Sequence, residues 1–285
     1  MSSASTLTIG VVMPEVFGSY GDSGNATVLA KRAELRGIAA EVVRVGVEQA
    51  IPESLDIYTL GGSEDVSQNI AAHRLAQDAG LHGAVDAGRP VLAVCAGLQV
   101  LGNWYVDGKG QQVSGTGLLD VVTLPLAQRA VGELRCVPGP DLVNQGVTEL
   151  LTGFENHGGG TLLGSDAQPL GFVSAGVGNG VRVGDRDGSS EPGGDTTAAF
   201  FSLPAHNAHA YASVFNQYQG LFDGKPVDGV VQGSVYATYM HGPVLARNPQ
   251  LADMLLARAL GVSVGDLAPI EVPGLAEWRA QRTQN

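Results

Sequence analysis

A mostly parallel α/β sheet is the architecture this sequence predicts, and three observations carry the prediction. Short apolar runs rich in β-branched residues alternate with single helical stretches from Leu7 to Val94. Those runs are too continuous for a half-exposed sheet, so they read as strands covered on both faces. The composition, 44% hydrophobic and only 15% charged over 285 residues, suits one folded core rather than a disordered chain.

The elements follow in order. Leu7 to Met13 (LTIGVVM) is a buried strand ending at Pro14. After the turn-rich Gly18–Asn25 stretch, ATVLAKRAELRG places Val28, Leu29, Ala33 and Leu35 near helical spacing, with Gly37 where a terminating glycine belongs. Glu41 to Val45 and Asp56 to Leu60 are strands, the second running into Gly61-Gly62. Asn69 to Gly88 is helical in composition, and Pro90 to Val94 is an apolar strand that stops at Cys95. From Gly102 the pattern shifts to short strands, Asp120–Leu124 and Gly132–Val137, expected as an antiparallel extension of the same sheet. Gly229 to Tyr239 reads as one strand delivering His241, and Asn248 to Gly261 as an amphipathic helix capped by its asparagine. Residues 1–285 are read as a single domain with a loop or lid insertion at about 184–226, where glycine-rich and aromatic-rich segments replace regular periodicity.

The charge balance, 28 acidic against 16 basic side chains for a net −12, argues against nucleic acid as a partner, because phosphate binding needs clustered Lys and Arg. The N-terminus has no charged region followed by an apolar core, and the run Pro90–Leu101 falls far short of a membrane span. A soluble cytoplasmic protein is the expectation. Two cysteines make no disulfide framework, and with six scattered histidines they show no metal-ligand spacing.

The informative local pattern is PVLAVCAGLQVLG, residues 90 to 102. A strand stops at Cys95, small residues allow a tight bend, and a helix-compatible run follows. A nucleophile there is accessible, the helix start favours thiolate, and the Ala96 N–H would face an oxyanion. A buried core cysteine is the competing reading, since free cysteine is among the most buried residue types. Cys136 lies within an apparent strand and reads as structural. A thiol nucleophile needs a base. His241, at the carboxyl edge of the sheet where ligands collect in such folds, ranks first, and His157 in GFENHGGGT second. His73 and His82 are expected to face solvent, and His206 and His209 to lie in the insertion. Gly61-Gly62-Ser63 offers unhindered backbone N–H groups, or is an ordinary turn.

In chain order these pieces resemble a class I glutamine amidotransferase, of the cobyric-acid-synthase-like branch. Within it the sequence is similar to the glutaminase subunits of lipid II isoglutaminyl synthases. The blocks behind the resemblance are FGSYGDSGNATVLAKRAELRG (17–37), LGGSEDVSQ (60–68), VLAVCAGLQVLG (91–102), QRAVGEL (128–134), TGFENHGGGT (152–161), PLGFVSAGVGNG (169–180) and ATYMHGPVLARNPQLADMLL (237–256). The resemblance implies a flavodoxin-like glutaminase fold in which Cys95 attacks L-glutamine, His241 moves the protons, and the Gly62 and Ala96 N–H groups hold the oxyanion. It also implies that Arg129 binds the substrate carboxylate. Many class I domains carry an acid two residues after the histidine. Here that position is Pro243, so the resemblance is to a Cys–His dyad, with Glu155 as the candidate for orienting the imidazole. The sequence has no phosphate-binding loop of the G-x-x-x-x-G-K-[ST] type, so no cofactor is expected on this chain. The resemblance implies ATP on a Mur-ligase-like partner that binds the lipid II acceptor at the inner face of the membrane. Rival readings are a cobyric-acid-type subunit with another acceptor, a non-catalytic binding subunit of the same fold, and a free-standing thiol hydrolase.

Overall fold

In the computed structural model, residues 6–18, 21–180, 201 and 213–283 are described. The expected parallel sheet forms from β1 (Leu7–Val12), β2 (Ala40–Val45), β3 (Ile57–Leu60), β4 (Val91–Val94), β12 (Val230–Gln232) and β13 (Val235–Thr238). Its strand order is β12-β13-β4-β3-β1-β2, with every neighbour parallel except the β12–β13 hairpin. β3 and β4 are buried at every position, as an apolar run covered on both faces requires, while β2 is an edge strand with an exposed side. Leu92 has no exposed surface, and truncating such a core leucine to alanine costs about 2–5 kcal/mol.

Helix α1 (Gly24–Glu34) follows β1, and Gly37 takes the left-handed φ of +75° that turns the chain out of it. The helical stretch after β3 divides into α2 (Asp65–Leu75) and α3 (Gly80–Asp86), and α4 (Ala96–Leu101) follows β4 directly. Because β1, β3, β4 and β13 run parallel, their carboxyl ends share one edge of the sheet. That edge is where a doubly wound fold presents a site.

The antiparallel strands expected as an extension of this sheet form a second sheet of their own. β5 (Trp104–Val106), β6 (Gln112–Ser114), β7 (Val121–Pro138), β8 (Leu151–Leu163), β9 (Gly171–Ala175), β10 (Leu221–Phe222) and β11 (Lys225–Asp228) make it up. The two short strands expected at 120–124 and 132–137 are the ends of one long strand, β7, which pairs with β8 on both sides of an irregularity between Pro125 and Ala130. The single strand expected over Gly229–Tyr239 is likewise a hairpin, turned at Gly233 with φ +60°. Asn248 does not cap the helix Pro249–Leu260 with its side chain. Its amide instead clamps β8, accepting from the Thr152 N–H at 2.9 Å and donating to the Thr152 carbonyl at 2.8 Å.

The two sheets meet at the site. The Phe154 N–H of β8 donates to the His241 carbonyl, and the His241 N–H returns a 2.8 Å bond to Phe154. Gly153 permits this approach, since a Cβ there would lie 2.3 Å from Cβ of Met240. Most of the 184–226 segment, including His206 and His209, lies outside the described residues. Of its described part, Phe201 is buried against Leu126 in a small core cluster of the second sheet.

Candidate active site

The cysteine at the end of β4 is the one sequence reasoning singled out for its backbone, and its backbone is unusual. Cys95 has φ +53° and ψ −107°, a conformation that costs a residue with a Cβ about 1–3 kcal/mol. Surrounding bonds hold it there. The Cys95 N–H donates to Thr238 of β13, and the Gly97 N–H donates to the Gly61 carbonyl at 3.2 Å. The elbow is thereby fastened to the last parallel strand and to the Gly-Gly loop. Cys95 is 7% exposed and lines a cavity of about 160 Å³. Ala96 supplies the first N–H of α4, a group with no acceptor inside the helix. Cys136, in β7, is fully buried with its thiol pushed well above the ordinary range by desolvation and by the charges of Asp228 and Glu155.

His241 arrives three residues beyond β13 and is 2% exposed. Its Nδ1 lies 2.8 Å from Oδ2 of Asp22, and its ring interacts with Cys95. Burial works to lower the imidazole pKa. The hydrogen bonds to Asp22 and Cys95, with the charges of both, outweigh burial and raise it to about 10. His241 therefore interacts with the Cys95 thiol while its Nδ1 is bound to a buried carboxylate.

Asp22 was not foreseen, although a signal existed. It lies in the loop after β1, whose carboxyl end opens on the same sheet edge as Cys95 and His241. Its side chain is fully buried, and the same Oδ2 accepts the Gly62 N–H at 2.9 Å. Gly61 lets the two loops touch, since a Cβ there would lie 2.7 Å from Cβ of Asp22. Two expectations are corrected by this oxygen. The Gly62 N–H is directed at Asp22 rather than at an oxyanion, and Glu155 is not the residue that orients His241. The Glu155 carboxylate instead accepts the backbone N–H groups of Val177 and Gly178, both at 2.8 Å.

His157 lines the cavity with Cys95, but its ring is engaged elsewhere. Nδ1 is 2.7 Å from the Gly159 carbonyl, Nε2 is 3.4 Å from Glu155, and the ring stacks on Tyr239 at 3.8 Å. It is not placed as a second base for the thiol. Arg129 rises from the irregular part of β7 into the cavity wall, its Nε donating to Oδ1 of Asn156 at 2.8 Å. Asn156 was missed, because nothing in its sequence setting marks a residue that steadies an arginine. Deeper in, Gln68, Gln99, Tyr239, Thr161 and Thr123 form a continuous buried hydrogen-bonded chain. Among the described residues no three His, Cys, Asp or Glu side chains are grouped to hold a metal ion, and no helix is long and apolar enough to cross a membrane.

Comparison with known proteins gives this geometry a context. Residues 8–210 match the family model of the CobB/CobQ-like glutamine amidotransferase domain. Over 278 residues the chain is 27% identical to the Staphylococcus aureus protein named lipid II isoglutaminyl synthase (glutamine-hydrolyzing) subunit GatD, covering 97% of this chain and 93% of that one. The Streptococcus pneumoniae protein of the same name is 28% identical, with 96% and 88% covered. A cobyric acid synthase of Photorhabdus laumondii is 32% identical over 181 residues, which are 60% of this chain and 34% of that protein.

Proposed function

The chain belongs to the CobB/CobQ-like glutamine amidotransferase family, and we propose that it is the glutaminase subunit of a lipid II isoglutaminyl synthase. The observation that carries the chemistry is the Cys95–His241–Asp22 set, with its thiol, its raised imidazole and its buried carboxylate. The acceptor is inferred from near full-length similarity to two proteins named as that subunit, whereas the cobyric acid synthase similarity covers about a third of that enzyme.

In this reading the Cys95 proton passes to His241, and the thiolate sulfur attacks the side-chain amide carbon of L-glutamine. The carbonyl electrons move onto oxygen, where the Ala96 N–H is the available backbone donor. On collapse of the tetrahedral species, imidazolium His241 gives its proton to the departing nitrogen. Ammonia leaves, and a γ-glutamyl thioester remains on Cys95. Water, deprotonated by His241, then attacks the thioester. Glutamate is released, and the thiol is restored. Asp22 holds Nδ1–H throughout, so that Nε2 is the nitrogen that exchanges protons. Arg129 binds the α-carboxylate. The cavity also carries Glu64 and Asp107, so both charge signs needed by a zwitterionic amino acid are present. No cofactor takes part on this chain. ATP belongs to a Mur-ligase-like partner that activates the D-glutamate carboxylate of lipid II, which places the complex in the cytoplasm against the membrane.

The test is ammonia release from L-glutamine by the purified chain, alone and with a Mur-ligase-like partner, ATP and lipid II, using Cys95→Ala as control. Release that depends on Cys95, together with amidated lipid II in the full mixture, is the expected result. Cys95-independent release would overturn the mechanism. Cys95-dependent release without amidation of lipid II would overturn the acceptor.

A further inference from the structure

The cavity of about 160 Å³ that Cys95 and Arg129 line is also lined by Asp107, the residue that immediately follows β5. Asp107 is only 8% exposed, and its carboxylate is fixed by neutral donors. Oδ1 accepts the Lys109 and Gln111 N–H groups, both at 2.9 Å, and Oδ2 accepts the Asn69 amide at 3.0 Å. Asn69, from α2, is oriented in turn by Tyr105, whose hydroxyl donates to its Oδ1 at 2.6 Å and leaves the NH2 end for the carboxylate. Burial works to raise the pKa of Asp107. The Gln111 N–H, the Asn69 amide, the Lys109 N–H and the Lys109 charge outweigh burial and hold the carboxyl below the ordinary range. Asp107 therefore carries its full charge at neutral pH.

A carboxylate has about four acceptor positions, and the three donors leave one of them, on Oδ2. None of the three is charged, so the negative charge is held in place without being neutralised. Charge-assisted hydrogen bonds are the strong ones, and an ammonium is the ligand group that makes one here. We infer that Asp107 is the subsite for the α-ammonium of the substrate and restricts the cavity to free amino acids, excluding glutamine whose nitrogen is acylated as in a peptide. This rests on the glutaminase function proposed above and adds to it a basis for choosing among amides. An acylated nitrogen has lost its charge and all but one N–H, so it cannot make the same bond. Glu64 lines the same cavity, but it is exposed, and water weakens any ion pair it makes.

The three contacts come from three elements. Cys95 ends β4, Arg129 rises from β7, and Asp107 follows β5, which pairs with β7 through Trp104 and Val122. A hydrogen bond to a charged group contributes enough to change affinity by about 10- to 150-fold. The far larger rejection seen where a buried group is left wholly unpaired does not apply, because Asp107 keeps its three donors when no ammonium is bound.

The test is calorimetric binding to the full chain carrying Cys95→Ala, which removes turnover. The ligands are L-glutamine and glutaramate, which is glutamine without its ammonium group. L-glutamine should bind about 10- to 150-fold more tightly. Adding Asp107→Asn should weaken L-glutamine by that factor and leave glutaramate unchanged, so that the preference disappears. A preference that survives Asp107→Asn would overturn the inference, as would equal weakening of both ligands, the mark of a merely structural role. N-acetyl-L-glutamine binding as tightly as L-glutamine would overturn it too. If Asp107→Asn does not fold, a crystal structure of Cys95→Ala with L-glutamine decides. The ligand nitrogen is expected within hydrogen-bonding distance of the Asp107 carboxylate, and its placement elsewhere would refute the assignment. Absence of any glutamine binding would overturn this inference and the glutaminase function together, whereas binding indifferent to the ammonium would overturn this inference alone.

Discussion

Replacing Asp22 with asparagine isolates the part of the site that no local motif announced. The substitution keeps the size and one carbonyl oxygen, but it removes the charge that faces Nδ1 of His241 at 2.8 Å and the Gly62 N–H at 2.9 Å. Hydrogen bonds to a charged group contribute about 1.5–3 kcal/mol, so losing the charged character of this one predicts a fall in kcat of about 10- to 150-fold. The fall should be in kcat rather than KM, because Asp22 is fully buried and outside the cavity lining. The imidazole, held at about 10 by its partners, loses one of the charges that raise it. The thiolate–imidazolium pair should then form over a narrower pH range. Steady-state glutaminase assays and an iodoacetamide pH profile read both effects. A variant that folds, shown by an unchanged near-ultraviolet dichroism spectrum, and keeps kcat within twofold would refute the orienting role of Asp22.

The remaining predictions concern residues nearby. Cys95→Ala should abolish turnover while Cys136→Ala retains it, and mass spectrometry after alkylation at pH 7.5 should find one adduct, because the Cys136 thiol is fully buried and pushed up. Arg129→Ala should raise the KM for glutamine about tenfold or more with little change in kcat, as loss of a charged carboxylate contact implies. Asn156→Ala should move KM the same way by less, since it removes the 2.8 Å brace on that guanidinium, and an unchanged KM in both would take them out of the site. Asp228, fully buried beside Thr238 and Tyr239, has its carboxyl raised to about 7, mainly by desolvation. A raised acid contributes stability below its unfolded value near 3.8 and loses it as pH rises through 7, so Asp228→Asn should melt a few degrees higher than the parent at pH 8 and show no such gain at pH 4. Parallel melting curves at the two pH values check this.

The parts of the fold visible in the sequence are those that depend on near neighbours. β1, β3 and β4 were readable because each is a short apolar run stopped by glycine, proline or the elbow, and Gly37 ends α1 by a conformation few other residues adopt. The second sheet was not readable as a sheet. Its long β7–β8 pairing is interrupted after Pro125, so the pattern in each half resembles a separate short strand. The site divides in the same way. Cys95 and His241 stand out in the sequence because strand ends place them, and the structure brings them into interaction. Glu155 was given the wrong partner, because the backbone N–H groups of Val177 and Gly178 that it accepts leave no mark in a sequence. Asp22 was passed over because its partner stands 219 positions away.

That separation bears on when the chain becomes reactive. Asp22 and Cys95 are synthesised well before His241 and β13. Until β13 inserts beside β4, Cys95 has neither the Thr238 carbonyl that pins its backbone nor the imidazole that takes its proton. A half-folded chain therefore lacks the base that the proposed mechanism requires. In the proposed mechanism, docking of the last parallel strand beside β4 is therefore the step that arms Cys95.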